Sequence, residues 1–278
     1  MKEVMISIDV EDWFCVKNMA KSIPYGTWDQ HELRINRGLD FILAEFKKRK
    51  IRGTFFMLGW LADKCPGIVE KIESEGHEVA THGYNHQTID TMEQQTFKND
   101  LRKSVDVINN QLKFSKVGGY RAPSFSITEK TWWALDCLKE LGLKYDSSIY
   151  PVSHPDYGVR DFGRDIKNIE GIVEVPMNYA EILGLRIPIS GGGYFRLMPY
   201  FIFKLFLKAA LKKRHVVLYF HPWEFDPEQP RVKLPLLKSF RHYVGLSSNR
   251  SKFIKLLDDF NFTTMSAYLY NEEMPLSR

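Results

Sequence analysis

The chain has 278 residues, 44% hydrophobic and 26% charged, which is enough for a sizeable core and within the range of one α/β barrel. Its 39 Lys and Arg against 34 Asp and Glu leave a net charge of +5, a mild and scattered excess that argues against a nucleic-acid stripe or a polybasic tail. The three cysteines, Cys15, Cys65 and Cys137, show no C-x-x-C spacing, which argues against a thiolate zinc site or a disulfide framework and for a reducing compartment.

The N-terminus, MKEVMISIDV, is too short and too soon acidic for a secretory signal. No apolar stretch reaches the roughly 18–20 residues of a membrane span. The expected location is the cytoplasm, with the inner membrane face as its alternative.

MISIDV (5–10) reads as a first buried strand, and it runs out into Asp9, Glu11 and Asp12, followed by Trp13. Carboxylates packed this closely repel one another, so the stretch asks for a cation. A helical pattern near 31–50, the strand GTFFML (53–58) and a helix near 66–75 follow. HEVATH (77–82) is a third strand that ends on His82, and THGYNHQ sets His86 four residues further on. That spacing aims both imidazoles at one point if the segment is helical or tightly turned, and neutral imidazoles suit a borderline divalent ion.

After a helix near 93–112, VGGYRAP (117–123) ends on Arg121, and Thr128 opens a helix to about 141 with Thr131 where a capping box has Glu. LKYDSS (143–148) carries Asp146; 149–171 reads as a long loop; IVEVPM (172–177) is the next strand. SGGGYFR (190–196) reads as a glycine-rich loop that either lets backbone approach a ligand, with Tyr194 and Arg196 as contacts, or is simply flexible. A helix over 199–213 leads to VVLYFH (216–221), where Pro222 stops the strand at His221. The stretch 222–248 reads as a second long loop, 249–260 as a helix and FTTMSAY (262–268) as a last strand.

Strands alternating with helices predict a parallel sheet, and seven or eight such units a closed or nearly closed barrel. The C-terminal strand ends share one face, where catalytic groups gather. Two histidines and one carboxylate leave coordination positions open, as a hydrolytic metal site requires, and a second carboxylate can take a proton from water. His221 can protonate a leaving amine, Asp146 can orient it, and Arg121 can brace Asp9. Trp13, Tyr150, Trp223 and Glu224 lie beside these residues and are candidates to stack on or hydrogen-bond a ligand.

The ordered set DVED, HGYNH, RAP, YDSS and YFH resembles the polysaccharide deacetylases with the NodB-homology domain, carbohydrate esterase family 4. The wider stretches SIDVEDWF, YRAPSFSI, YDSSIYP, GGGYFR and HPWEFDPEQPR look like the branch found beside bacterial exopolysaccharide and exosortase loci. The resemblance implies a distorted (β/α) barrel of about seven parallel strands, a single domain over 1–278 and a family-specific extension from about 225. It implies metal-dependent removal of an acetyl group from an amino sugar, with zinc, or else cobalt, nickel or manganese. Asp9 would be the general base and His221 the general acid, with Arg121 and Asp146 as their partners. His82 and His86 would be ligands, joined by Glu11 or Asp12, with the period of a strand favouring Glu11. Residues after Pro123, near Ser124 and Phe125, would supply N–H donors to an oxyanion. The pair Asp9 and His221 would give a bell-shaped pH profile. Gly83 stands where the family commonly has serine or threonine.

The expected partner is an N-acetylated sugar, lipid-linked glycan or polysaccharide, and no nucleic acid. Competing readings are a deformylase or another amidohydrolase, and a catalytically silent carbohydrate-binding barrel. PYFIFKLFLKAALKKRH (199–215) reads as a barrel helix with a solvated basic face, or as an interfacial helix that brings the protein to an anionic membrane.

Overall fold

The structure is a computed structural model that describes residues 3–153, 157–182 and 184–270. The first strand, β1 (Val4–Val10), is buried along its whole length, and only Ser7 and Asp9 interrupt its apolar run. Ser7 donates its hydroxyl to the Leu218 carbonyl at 2.9 Å, so this buried polar group is satisfied inside the sheet. Helix α1 (Ile35–Arg49) buries Ile35, Leu39, Ile42, Leu43 and Phe46, a stripe at helical spacing. Then come β2 (Thr54–Met57), α2 (Gly59–Lys64), α3 (Ile68–Ser74), β3 (Glu78–Thr81) and α4 (Gln94–Asn109). The short β4 (Gly119–Tyr120), α5 (Trp133–Glu140) and β5 (Tyr145–Asp146) continue the alternation. At the start of α5's approach the Thr131 hydroxyl accepts the Thr128 N–H at 2.8 Å and so does the work of the missing Glu.

The second half begins with the hairpin of β6 (Lys167–Ile169) and β7 (Ile172–Glu174) and the separate hairpin of β8 (Tyr179–Ile182) and β9 (Leu185–Pro188). Helices α6 (Gly192–Leu197) and α7 (Tyr200–Lys213) lead into β10 (Val217–Phe220). The chain finishes with α8 (Leu236–Tyr243), α9 (Leu246–Asp259), β11 (Phe262–Thr263) and α10 (Met265–Tyr270).

The main sheet has the order β10-β1-β2-β3-β4-β5-β7-β6, with β11 beside β1, and every pairing along it is parallel except β6 with β7. The sheet curls into a half-barrel: its parallel pairing is what the alternation of elements predicts, but the expected closure is not reached, because the path ends at β10 on one side and β6 on the other. The arc ends at β10 on one side, where the segment before α6 meets it: Tyr219 donates its N–H to the Ser190 carbonyl and Gly191 bridges to Tyr219. The Asn178 side chain accepts the Val217 N–H at 2.6 Å, and the Asn178 backbone N–H is donated to the Ser190 hydroxyl. Consecutive residues of β2 face opposite ways, Phe55 into the large outer core with Phe46 and Phe253, and Phe56 into a smaller inner cluster with Met5, Tyr145, Val175 and Met177. That inner cluster is the floor beneath the strand ends.

Three expectations are corrected. FTTMSAY is a strand only over β11, because the Thr264 hydroxyl accepts the Ala267 N–H and caps α10. The stretch 222–248 is no loop: it holds a 3₁₀ turn over Pro222–Phe225, then α8 and the start of α9. SGGGYFR is mostly helix α6, and Gly191 is required by protein, not ligand: a Cβ there would lie 2.1 Å from the Tyr219 carbonyl oxygen, at φ 127°.

Candidate active site

The site lies at the C-terminal ends of β1, β3, β4 and β10. Glu11 follows β1 in a turn closed by its own N–H to the Asp9 carbonyl, and its Oε1 lies 2.9 Å from His82 Nε2 and 2.9 Å from His86 Nε2. His82 follows β3 directly. His86 sits at φ 53°, and Gly83 at φ 75° makes the tight turn between them, which accounts for glycine where serine or threonine is usual. Asp100 of α4 accepts the N–H groups of Tyr84 at 2.8 Å and Asn85 at 3.1 Å and so pins that turn from behind. Asp100 escaped the sequence reading because nothing local marks it.

The donor chemistry fits a divalent cation. His82 Nδ1 lies 2.8 Å from the Arg121 carbonyl, an acceptor only, so Nδ1 carries the proton and the Nε2 lone pair faces Glu11. Two imidazole nitrogens and a carboxylate oxygen, all within 4.8 Å of one another, are reconciled by a positive charge between them. Burial pushes the Glu11 carboxyl up, but His86, His221 and His82 overcome it and hold the group well below the usual carboxylate range.

Asp12 does not join this group. Its carboxylate accepts the N–H groups of Trp13 at 2.7 Å, Arg34 at 2.7 Å and Ile35 at 2.9 Å, so it caps α1 from across the chain. Burial nevertheless pushes it up to about 6. Asp9 sits between two partners: Oδ1 accepts Arg121 Nη1 at 2.7 Å and Oδ2 lies 3.9 Å from His221 Nε2. Arg121 is wholly buried and also donates to the Ser7 hydroxyl and to Ser147, so it can be pulled away from Asp9 only at high cost.

His221 is oriented by Glu224, not by Asp146. Glu224 Oε2 accepts the His221 N–H at 3.0 Å and lies 3.2 Å from Nδ1, while Oε1 accepts Arg196 Nε at 2.9 Å. Arg196 in turn donates to the carbonyls of Arg241, His242 and Val244, so it is an anchor under the site and no sugar contact. Burial lowers His221, but Glu11, Glu224 and Asp9 together raise it to about 9. Asp146 instead accepts the Ser148 hydroxyl at 2.5 Å, and Ser148 accepts the Ala122 N–H at 2.7 Å. Burial raises both Asp146 and its neighbour Glu174, so this pair supports the turn after Arg121 from below.

That turn, Pro123–Phe125, is strained: Ser124 and Phe125 both have φ 55°. The Phe125 N–H is donated to the Ala122 carbonyl and so is engaged within the protein. A cavity of about 390 Å³ opens over the Glu11, His82 and His86 group, lined also by Asp9, His221, Ser124, Phe125, Tyr194, Trp223 and Glu224. Tyr157 and Tyr219 add to the aromatic wall around Phe125. Trp13 and Tyr150 do not reach this cavity. Trp13 packs on Phe14 and His31 with its Nε1 donated to the Glu32 carbonyl, and Tyr150 lies behind Phe125. An aromatic beside a motif in sequence is as easily core as lining.

Histidines and carboxylates at the strand ends of a half-barrel, beneath an open cavity, occupy the place where parallel α/β folds gather their catalytic groups. Residues 17–145 match the polysaccharide deacetylase family model, and residues 147–270 match a domain of unknown function, DUF3473. The match to the polysaccharide deacetylase model covers a little under half of the chain. His82, His86 and Arg121 fall in the first match, and His221 and Glu224 in the second.

The chain is 33% identical over 84 residues to the peptidoglycan-N-acetylglucosamine deacetylase of Bacillus cereus, covering 30% of this chain and 28% of that one. It is 29% identical over 164 residues to the peptidoglycan deacetylase of Helicobacter pylori, covering 51% and 53%. It thus spans about half the length, or less, of these relatives. A solved structure from Mycobacterium smegmatis, ascribed to a polysaccharide deacetylase, superposes with a TM-score of 0.62 at 19% identity, over 99% of this chain and 94% of that one. That likeness bears out the distorted barrel. Among the described residues no helix is long and apolar enough to cross a membrane.

Proposed function

We propose that this protein hydrolyses the N-acetyl amide of an amino sugar in a bacterial polysaccharide or its lipid-linked precursor, releasing acetate and a free amine, in the exopolysaccharide branch of the family. The observation that carries this reading is the convergence of Glu11, His82 and His86 beside Asp9 and His221 at the floor of one cavity. The names of the peptidoglycan deacetylase relatives support the choice of substrate class. We take 1–278 as one catalytic unit with a family-specific addition from about 225. The buried pair of Arg34 with Asp226 at 2.6 Å supports that view, and residues 271–278 lie outside the described residues.

Glu11, His82 and His86 would hold a divalent ion, zinc in the first place. When bound, it supplies Lewis acidity at the acyl oxygen and acidifies water. Asp9, braced by Arg121, accepts a proton through Oδ2 as water adds to the acyl carbon. The Ser124 N–H meets the oxygen that gains charge. His221, held by Glu224 through Nδ1, gives its Nε2 proton to the sugar nitrogen as the carbon–nitrogen bond breaks. Trp223 stacks on the His221 ring at 5.3 Å and keeps it facing Asp9.

The test is acetate release from N-acetylated chito-oligosaccharides by protein loaded with zinc, cobalt, nickel or manganese in turn. Turnover that stops with chelator and returns with metal is the expected result. Sugar binding without turnover under all four metals would leave the silent binding barrel as the better account, and faster release of formate from N-formyl analogues would favour the deformylase.

A further inference from the structure

One side of the cavity mouth is apolar, although Lys17, Asn18 and Arg241 also line the cavity. Leu197, Leu237 and Phe240 line it, and all three are exposed, with Phe240 at 54%. Leu236, one residue before Leu237 on α8, is 91% exposed, and α7 adds Phe201 at 66% and Leu205 at 63%. With Tyr194, seven of the twelve exposed large hydrophobic side chains among the described residues belong to α6, α7 and α8. Single exposed apolar residues are ordinary; four of these seven, Tyr194, Leu197, Leu237 and Phe240, line one cavity, and that is not.

Charge follows the same pattern. The excess of +5, expected to be scattered, is concentrated: segments 182–223 and 229–257 hold 14 of the 39 Lys and Arg and none of the 34 Asp and Glu, although Arg196 is buried and Lys252 is held by the Arg196 and Met198 carbonyls. The rest of the chain is therefore acidic on balance. Within α7, Phe203 and Leu207 face the core, while Phe201, Leu205, Lys208, Ala209 and Lys212 recur at 3–4-residue spacing on the exposed side. Lys204 is held by Asp259 at 2.5 Å. On α8, Leu236, Leu237 and Phe240 share the outer face, and His242 points inward onto Trp223. Apolar side chains that can enter the acyl boundary, among cations that match phosphate headgroups, fit one partner better than any other.

We propose that α7, α8 and Leu197 dock on the anionic surface of a lipid bilayer, with the cavity mouth opening at the interface. Access to a glycan carried on a lipid follows from that placement and rests on the deacetylase reading; the docking itself does not. No acidic side chain lies in either segment to oppose the contact.

The experiment compares sedimentation of the full chain with vesicles of phosphatidylcholine alone and of phosphatidylcholine mixed with phosphatidylglycerol, at low and high salt. Wild type is expected to sediment with the anionic vesicles at low salt and to be released by high salt. The variant Phe201→Ser, Leu205→Ser, Leu236→Ser is expected to lose about tenfold in partition, because burial in the boundary drives the contact. These side chains lie outside the cavity, so the variant keeps the activity of wild type on soluble chito-oligosaccharide. Failure to bind anionic vesicles overturns the docking, and so does equal, salt-insensitive binding to both vesicles. A concentration-dependent dimer that the triple variant dissolves, without vesicle binding, overturns it too and assigns the face to a second copy. Vesicle binding with no turnover of any substrate keeps the docking and removes the deacetylase reading instead.

Discussion

Alanine substitution separates the roles of two neighbouring carboxylates, Glu11 and Asp12. Glu11→Ala removes the oxygen 2.9 Å from both Nε2 atoms and leaves two imidazoles. Altering groups that merely support a ligand costs about 10–100-fold in metal affinity, so losing one of three ligands is expected to cost at least about 100-fold. The fold should survive, since the Glu11 carboxylate bonds only to those two histidines among the described contacts. Asp12→Ala orphans three buried N–H groups, at about 1–3 kcal/mol each. Against this, the variant escapes the cost of burying a charge, which raises the carboxyl to about 6 even with those three bonds in place, so part of the loss is offset. The net loss is then near the low end, about 3 kcal/mol, or a melting temperature lower by about 6–12 °C in a domain of this size. Metal content by mass spectrometry on protein purified without chelator, with a thermal melt on each variant, reads both effects. If Asp12→Ala melted like wild type yet lost its metal, while Glu11→Ala kept it, the ligand assignment would be wrong.

Further outcomes follow from other contacts. Glu224→Gln removes the charge 3.2 Å from His221 Nδ1, so the alkaline limb of kcat/KM is expected to fall by about 1–2 pH units while the acid limb stays; an unmoved limb would show that Glu224 does not position His221. His77 and His242 are buried and lowered, chiefly by burial, to about 4 and about 3, below the value near 6.5 of the unfolded chain. The unfolded state then binds more protons as pH falls from 6.5 toward 4, so stability drops there by about 1.4 kcal/mol per pH unit for each histidine, and His77→Gln is expected to flatten that slope in urea melts. A slope the same in both proteins would refute it. Gly191→Ala forces a Cβ to 2.1 Å from the Tyr219 carbonyl at φ 127°, which should cost about 2–4 kcal/mol in a thermal melt and lower activity through the strand that carries His221.

How far the sequence could be read depends on whether a role is set locally. Asp9, His82, Arg121 and His221 end apolar runs, and parallel topology alone gathers strand ends, so their meeting was legible. The choice between Glu11 and Asp12 was not, because β1 stops at Val10 and Asp12 finds its partners at Arg34 and Ile35, which only the fold brings near. Glu224 carried a local signal, an acid three residues after His221 in a turn opened by Pro222, the spacing at which a side chain returns to the backbone N–H. The resemblance drew that role to Asp146 instead, and the geometry returns it.

Helix α8 shows a different kind of failure. Its sequence, LLKSFRHY, puts Leu236, Leu237 and Phe240 on one face, yet that face is exposed and it is His242 that is buried. Reading helices from periodicity assumes that the apolar face is the inner one. Where a chain turns that face outward beside its own site, the rule fails because the face belongs to a surface the isolated chain does not contain. Such failures are expected at functional positions, and two of the misread elements, α6 and α8, border the cavity mouth. The strand ends hold the chemistry, and the helices that defied the pattern decide what can reach it.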